Sequence, residues 1–232
     1  MASAALIIPA AGSGTRFGGP VRKPYADLAG RAILLRTFDR FAAVEQICQR
    51  ILVVAPADLD VVHKTYGDEL SRLGVDAIIP GGKERYDSVR AGLDLVRDEC
   101  DLVAIHDAVR PLVPLRAVTE ALRLAEKIGA ACVGVPVHDT VKRADASGIV
   151  LETPPRDGLW QVQTPQVFRT GLIRQAYERL GQFRGKVTDD SQLVEALGHP
   201  VVMVEGGREN LKITTPADLA LAEAWLRAVG TP

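Results

Sequence analysis

Ala4-Ala-Leu-Ile-Ile-Pro9 runs without a polar residue straight into Ala10-Ala-Gly12-Ser-Gly14-Thr-Arg16-Phe-Gly18, and Lys23-Pro24 follows. A short, wholly apolar run is how a strand reads when both faces of its sheet are covered. A glycine-rich turn after such a first strand brings backbone N–H groups together around an anion. The spacing is not a dinucleotide fingerprint, because Phe17 stands where G-x-G-x-x-G needs glycine. Nor does a Gly-Lys-Ser/Thr complete a Walker-type phosphate loop. Arg16 and Lys23 set this loop apart: they are two cations placed to neutralise a polyphosphate that the glycines fold around. The alternative is a surface turn with both cations solvated.

Outward from this stretch, residues 51–55, 75–79, 102–105 and 131–137 read as further buried strands. Between them, 32–44 places Leu34, Phe38 and Phe41 on one helical face, and 115–128 does the same for Val118, Ala121, Leu122 and Ala125. Alternating strands and helices predict right-handed βαβ crossovers and an α/β fold, a mostly parallel sheet with helices on both faces. The alternation breaks over 138–165. There the sequence predicts a hairpin turning at Ser147-Gly148, a stop at Pro154-Pro155 and a further strand at 160–164. Helices near 171–180 and 190–197, a strand at 201–204 and a helix at 216–228 restore the order. The expectation is a single domain over 1–232 with an inserted β-arm at about 138–165. An arm with so little core of its own packs on something else.

Composition narrows the function classes. The 28 Lys and Arg nearly cancel the 29 Asp and Glu, for a net charge of −1, which argues against a broad nucleic-acid or membrane-surface footprint. No apolar run approaches the ~18 residues of a membrane span, and the N-terminus lacks the basic region of a signal peptide. Cys48, Cys100 and Cys132 are odd in number and far apart, each in or near an apolar stretch. Buried free thiols in a reducing, cytoplasmic setting are the expectation.

Four further stretches carry candidate chemistry. Gly81-Gly82-Lys-Glu-Arg-Tyr-Asp-Ser88 is a glycine pair before a helix start, able to hold a base through backbone groups or simply to cap the helix. His106-Asp107-Ala-Val-Arg110-Pro111 ends a strand, where open α/β sheets bind ligands. Asp107 there can approach a divalent metal or sugar hydroxyls, and Arg110 can clamp a phosphate. The arm supplies Asp139-Thr140-Val-Lys-Arg143 and Arg156-Asp-Gly-Leu-Trp160, leading to Gln163-Thr164-Pro-Gln166. Asn210-Leu-Lys212-Ile-Thr214 lies near the end. No Ser-His-Asp order, metal-type His/Cys cluster or activated cysteine is evident. The cations suit attack of a phosphate on a nucleotide α-phosphate. The nucleophile is already anionic, so catalysis rests on alignment and charge neutralisation.

Taken in order, these motifs resemble the 2-C-methyl-D-erythritol 4-phosphate cytidylyltransferases over nearly the whole chain. Gly158-Leu-Trp-x-x-Gln-Thr-Pro-Gln166 is more specific than the first loop, which alone says only sugar nucleotidyltransferase. The resemblance implies a Rossmann-like nucleotidyltransferase domain. It implies transfer of a cytidylyl group from CTP to 2-C-methyl-D-erythritol 4-phosphate with release of pyrophosphate, in non-mevalonate isoprenoid biosynthesis. A divalent cation, usually Mg²⁺, assists, with Asp107 the candidate ligand. By the same resemblance Ala10, Ala11, Gly12 and Gly14 wrap the CTP, and Gly82 and Ser88 hold the cytosine. Arg16 and Lys23 stabilise the transition state, and Arg156 and Lys212 position the methylerythritol phosphate. Asp107, Arg110, Thr140 and Thr164 complete the pocket. The arm resembles one that crosses to the partner of a homodimer. Val109, where many relatives have Ala, is shared with the sister ribitol-5-phosphate cytidylyltransferases, whereas Asp139–Arg143 and Gly158–Trp160 favour the methylerythritol family. Lys83 stands where an acidic residue is common. The alternatives are the ribitol enzyme and a nucleotide-binding module without turnover. The end of the chain soon after its last helix carries the expectation of no fused second catalytic domain.

Overall fold

A computed structural model describes residues 2–12 and 22–230. The first strand, β1 (Ala4–Pro9), shows why its apolar run is unbroken. Ala4, Leu6 and Ile8 pack on one face of the sheet, Ala5 and Ile7 on the other. A two-residue pair, β2 (Asp27–Leu28) and β3 (Arg31–Ala32), leads into α1 (Ile33–Ala42). Then come β4 (Ile47–Val54), α2 (Leu59–Arg72), β5 (Ala77–Pro80), α3 (Arg85–Leu93), β6 (Leu102–Ile105), α4 (Leu115–Ile128) and β7 (Ala130–Pro136). The strand pair β8 (Arg143–Ala144) and β9 (Val150–Glu152) stands apart. The chain returns through β10 (Trp160–Arg169), α5 (Thr170–Glu178), α6 (Ser191–Glu195), β11 (Val202–Glu205) and α7 (Pro216–Ala228).

The main sheet has the order β11-β7-β10-β6-β1-β4-β5. Every neighbouring pair is parallel except the two that β10 makes, with β6 and β7. Helices cover both faces. Leu34, Phe38 and Phe41 of α1, Val62 and Leu70 of α2, and Val118 and Leu122 of α4 share one core. Val89 and Leu93 of α3, Ile173 and Tyr177 of α5, and Leu193 and Val194 of α6 share the other. Phe38 and Phe41 are wholly buried, and burial of each contributes about 2–3 kcal/mol. A third cluster seats Ala222 and Leu226 of α7 against Leu28, Ile33 and Ile213. That helix begins where its sequence dictates. Thr215 Oγ1 accepts the Asp218 N–H at 3.3 Å, Asp218 Oδ2 accepts the Thr215 N–H at 2.7 Å, and Pro216 occupies the first turn. Among the described residues no helix is long and apolar enough to cross a membrane.

The α/β architecture read from the sequence holds, with three adjustments. α2 lies in a stretch to which the sequence reading assigned no helix. Cys100 and Cys132 are buried free thiols, but Cys48 is exposed. It is the extra residue where the register between β1 and β4 slips, Ala4 facing Ile47 and Ala5 facing Gln49, and such a bulge turns a side chain out of the regular alternation. The expected arm at 138–165 divides: 160–165 opens β10 inside the main sheet, because Trp160 to Val162 pair with Pro136 to Gly134 of β7. The remainder is an exposed ribbon that turns at Ser147-Gly148 as expected. Asp145 Oδ1 accepts the N–H groups of Ser147 and Ile149 at 2.9 and 3.0 Å, and Gly148 takes a φ of 86°.

This topology positions the site. β1, β5 and β6 are parallel, so the loops that leave their C-terminal ends gather at one edge of the sheet. β10 runs the other way. Gln166 pairs with Ile105 at the end of β6, so the residues just before Gln166 reach past β6 to the same edge.

Candidate active site

The loops after β1 and β5 close on each other at a point only glycine allows. A Cβ on Gly81 would fall 2.8 Å from the Ala11 Cβ and 2.5 Å from the Ser88 Oγ, too close for any side chain. The β5 loop then enters α3 through a reciprocal cap, in which Asp87 Oδ2 accepts the Glu84 N–H at 2.9 Å. Ser88, buried in the first turn, accepts the Gly82 N–H at 3.3 Å. Between these loops lies a cavity of about 290 Å³, bordered by Ala10, Ala11, Gly12, Lys23, Gly82, Ser88, Asp107 and Lys212. A second cavity of about 420 Å³ is bordered by Arg110, His138, Asp139, Gln163, Arg208 and Lys212. Lys212 borders both.

Asp107 is the electrostatic centre. Its Oδ2 accepts from Lys212 Nζ at 3.0 Å and Arg110 Nε at 3.2 Å, and Arg85 Nε stands 3.6 Å from its Oδ1. Burial works to raise its carboxyl, but Lys212, Arg85 and Arg110 outweigh burial and hold it well below the usual carboxylate range. Behind it sits a neutral relay. His106 is fully buried, and that burial pushes its imidazole down to about 4 despite favourable hydrogen bonds. Its Nε2 lies 3.1 Å from the Arg110 carbonyl. A carbonyl only accepts, so Nε2 carries the hydrogen and Nδ1 is the acceptor. The Thr164 hydroxyl, 3.0 Å from Nδ1, therefore donates to it, and its oxygen accepts the Asp107 N–H at 3.0 Å.

The surrounding polar groups are tied in turn. Arg110 Nη1 donates to the Asn210 carbonyl at 2.7 Å, and Asn210 Nδ2 donates to Gln163 Oε1 at 3.0 Å and the Thr164 carbonyl at 2.9 Å. Arg85 Nη1 donates to Asp190 Oδ2 at 2.7 Å. Burial opposes the Arg85 charge, but the Asp190 and Asp107 carboxylates raise its pKa above the ordinary arginine value.

Of the residues the sequence singled out, Ala10, Ala11, Gly12, Lys23, Gly82, Ser88, Asp107 and Lys212 meet at the first cavity, and Arg110 meets Lys212 at the second. Thr164 stands behind Asp107 and borders neither. Gly14 and Arg16 lie outside the described residues. Thr140 and Arg156 are exposed on the ribbon side, where Arg156 Nη1 donates to the His138 carbonyl, and neither borders either of these two cavities. The sequence assigned no role to Arg85, Gln163, Gln166, Asp190 or Asn210. Four of these lie within or beside the quoted motifs, and Asp190 precedes a helix start.

The donor set around Asp107 does not fit a metal ion held by the protein. Arg85, Arg110 and Lys212 surround its carboxylate, and among the described residues no three His, Cys, Asp or Glu side chains gather into a metal-binding group.

Comparison with known proteins points to one family. The family model for 2-C-methyl-D-erythritol 4-phosphate cytidylyltransferase matches residues 4–228. A protein of that name from Desulforamulus reducens is 42% identical, the alignment covering 98% of this chain and 97% of that one. One from Syntrophotalea carbinolica is 44% identical, covering 97% of each. The crystal structure of 4-diphosphocytidyl-2C-methyl-D-erythritol synthase from Anaerococcus prevotii superposes with a TM-score of 0.84 at 34% identity, covering 97% of this chain and 96% of that one. The cytidylyltransferase from Thermus thermophilus gives 0.79 at 33% identity, covering 96% and 98%.

Proposed function

The chain belongs to the 2-C-methyl-D-erythritol 4-phosphate cytidylyltransferase family, and from that premise we propose how its pocket divides the work between two substrates. The reaction is CTP-dependent cytidylyl transfer in isoprenoid biosynthesis. An oxygen of the acceptor phosphate bonds to the CTP α-phosphorus, the bond from that phosphorus to the β-phosphate oxygen breaks, and pyrophosphate leaves with the electron pair.

The observation that carries the division is the place of Lys212 on the seam between the two cavities. CTP takes the first cavity. Its cytosine lies against Gly82 and Ser88, and its phosphates lie along Ala10 to Gly12 and Lys23; for Gly14 and Arg16 the role in CTP binding and transfer rests on the family resemblance alone. Methylerythritol phosphate takes the second, beside Arg110. The two phosphorus centres then meet at Lys212, where an ammonium neutralises charge that builds up only as the new bond forms. Asp107 holds Lys212 and Arg110 in place. The divalent cation that the family resemblance implies would be carried by the substrate's own phosphates rather than by protein side chains, and would supply charge neutralisation there. Thr140 and Arg156 complete the acceptor site of a second subunit, which makes the working unit a homodimer.

Pyrophosphate release measured for each of the four nucleoside triphosphates, with methylerythritol phosphate or ribitol 5-phosphate as acceptor, tests the reading. CTP with methylerythritol phosphate is the expected fastest pair. Faster turnover of ribitol 5-phosphate at equal concentration moves the chain to the sister activity, and no turnover with any pair leaves a binding module.

A further inference from the structure

Gln163, Thr164 and Gln166 stand within four residues of β10, and each holds a different part of the Asp107 cluster. Gln163 receives Asn210, two residues before Lys212. Thr164 receives the Asp107 N–H. Gln166, fully buried, accepts the N–H groups of Asp190 and Ser191 at 3.0 and 3.1 Å through its Oε1. It thereby fixes the entry to α6.

Asp190 is also fully buried. Each of its oxygens has one strong partner: Oδ2 accepts from Arg85 Nη1 at 2.7 Å, Oδ1 from the Tyr177 hydroxyl at 2.6 Å. A carboxylate buried so deeply is stable only while paired and hydrogen-bonded. The same guanidinium faces a second carboxylate, yet Nε stops 3.6 Å from Asp107 Oδ1, beyond hydrogen-bond range. Arg85 thus sits between two anions, committed to the one outside the pocket and standing back from the one inside it.

We propose that Asp190, pinned by Gln166, is a positioning residue for the reaction: a buried counter-anion that holds Arg85 on the wall of the nucleotide cavity and keeps its guanidinium from closing on Asp107. The inference rests on the reading that CTP occupies the cavity at Asp107. With Asp190 neutral, Asp107 is the nearest anion left for Arg85. The guanidinium then swings toward it, competes with Lys212 and Arg110 for the carboxylate, and moves out of register with the nucleotide.

A double-mutant cycle tests this on the full chain with CTP and methylerythritol phosphate, wild type alongside. Asp190→Asn keeps the shape of the side chain and removes its charge. It is expected to raise KM for CTP and lower kcat/KM by about 10- to 100-fold. Arg85→Gln alone lowers kcat/KM, and the double variant falls no lower than the weaker single variant, because both act through one guanidinium. Asp190→Glu restores the charge and recovers part of the loss. Multiplicative effects, or Asp190→Asn kinetics within about twofold of wild type, overturn the proposal. So does a loss confined to Tm and active fraction with KM for CTP unmoved, which marks a purely structural role. Should Asp190→Asn not fold, Tyr177→Phe removes only the second hydrogen bond. A smaller rise in the same KM supports the proposal, and an unchanged KM sinks it. A wild-type chain that does not turn over CTP refutes the underlying reading instead, so the two failures are distinguishable.

Discussion

Lys212 is the side chain with most at stake, because it borders both cavities and ion-pairs with Asp107 at 3.0 Å. Lys212→Ala is expected to lower kcat by about 100-fold or more, with a smaller change in KM for CTP, since its charge matters most as the transition state forms. Steady-state kinetics with both substrates varied check this, and a variant changed in KM alone assigns Lys212 to ground-state binding. His106 makes a separate prediction through pH. The unfolded chain protonates an imidazole near 6.5, whereas burial lowers it to about 4 in the folded state. Between those values the unfolded state binds more protons, so stability falls as pH drops from 6.5 toward 4 and is unaffected by His106 above that window. The loss from pH 7.5 to pH 5 is about 2 kcal/mol by urea unfolding. Asp107 acts lower: its carboxyl is depressed, so its contribution is present above the ordinary carboxylate pKa and is lost only as pH falls below it. A His106 ring resonance that titrates near 6.5 would contradict the relay to Thr164 and Arg110. At this scale the sequence was legible where charge stood at the end of a predicted strand, as at Asp107 and Arg110, whereas Lys212, eight residues beyond the last predicted strand, was marked by the family motif. Arg85 and Asp190 were not legible, because 105 positions separate them and only the fold brings them together.

Among the elements, β10 shows how a strand's direction decides what it can hold. Its reversal brings Gln163 and Thr164 to the active edge, and the sequence signalled only its first half because Pro165 interrupts the run. For α2 the signal was present: Leu59, Val62, Tyr66, Leu70 and Leu73 recur at helical spacing and all reach the core. Charged and polar residues and the mid-helix Gly67 dilute that face, so the stretch carries a weaker periodic signal than 32–44 or 115–128. The β8–β9 ribbon is legible in both respects, hairpin and turn, and the fold adds how little of it is covered. Ile149, Val150 and Leu151 are 65%, 53% and 62% exposed in succession, whereas a strand packed on its own subunit alternates. Replacing all three with Thr or Gln is therefore expected to change the stability of the isolated chain by no more than about 0.5 kcal/mol, while abolishing the proposed self-association. Thermal melts at low concentration and sedimentation equilibrium measure the two effects. A steep fall in Tm would mean that the ribbon packs on its own subunit.

The whole molecule, on this reading, has two pockets, each built from two chains. Arg156 and Thr140 border neither of the two substrate cavities of their own chain, yet they match positions that the family resemblance assigns to the acceptor pocket, and the ribbon beside them leaves three apolar side chains uncovered. Lys23, by contrast, borders its own nucleotide cavity. Arg156→Ala and Lys23→Ala should each be inactive alone for different reasons, one removing the group lent to the partner and the other a group kept at home. When the two variants exchange subunits in equal amounts, about half of the dimers pair one of each. In such a dimer one pocket receives both lesions and the other receives neither. About a quarter of all pockets are then intact, and activity should recover toward that fraction of wild type as exchange proceeds. If Arg156 serves its own subunit, every pocket keeps one lesion however the chains pair. Activity that stays at background after native mass spectrometry has shown mixed dimers therefore rules out the crossing arm. A chain that remains monomeric in the same measurement rules out the dimer itself.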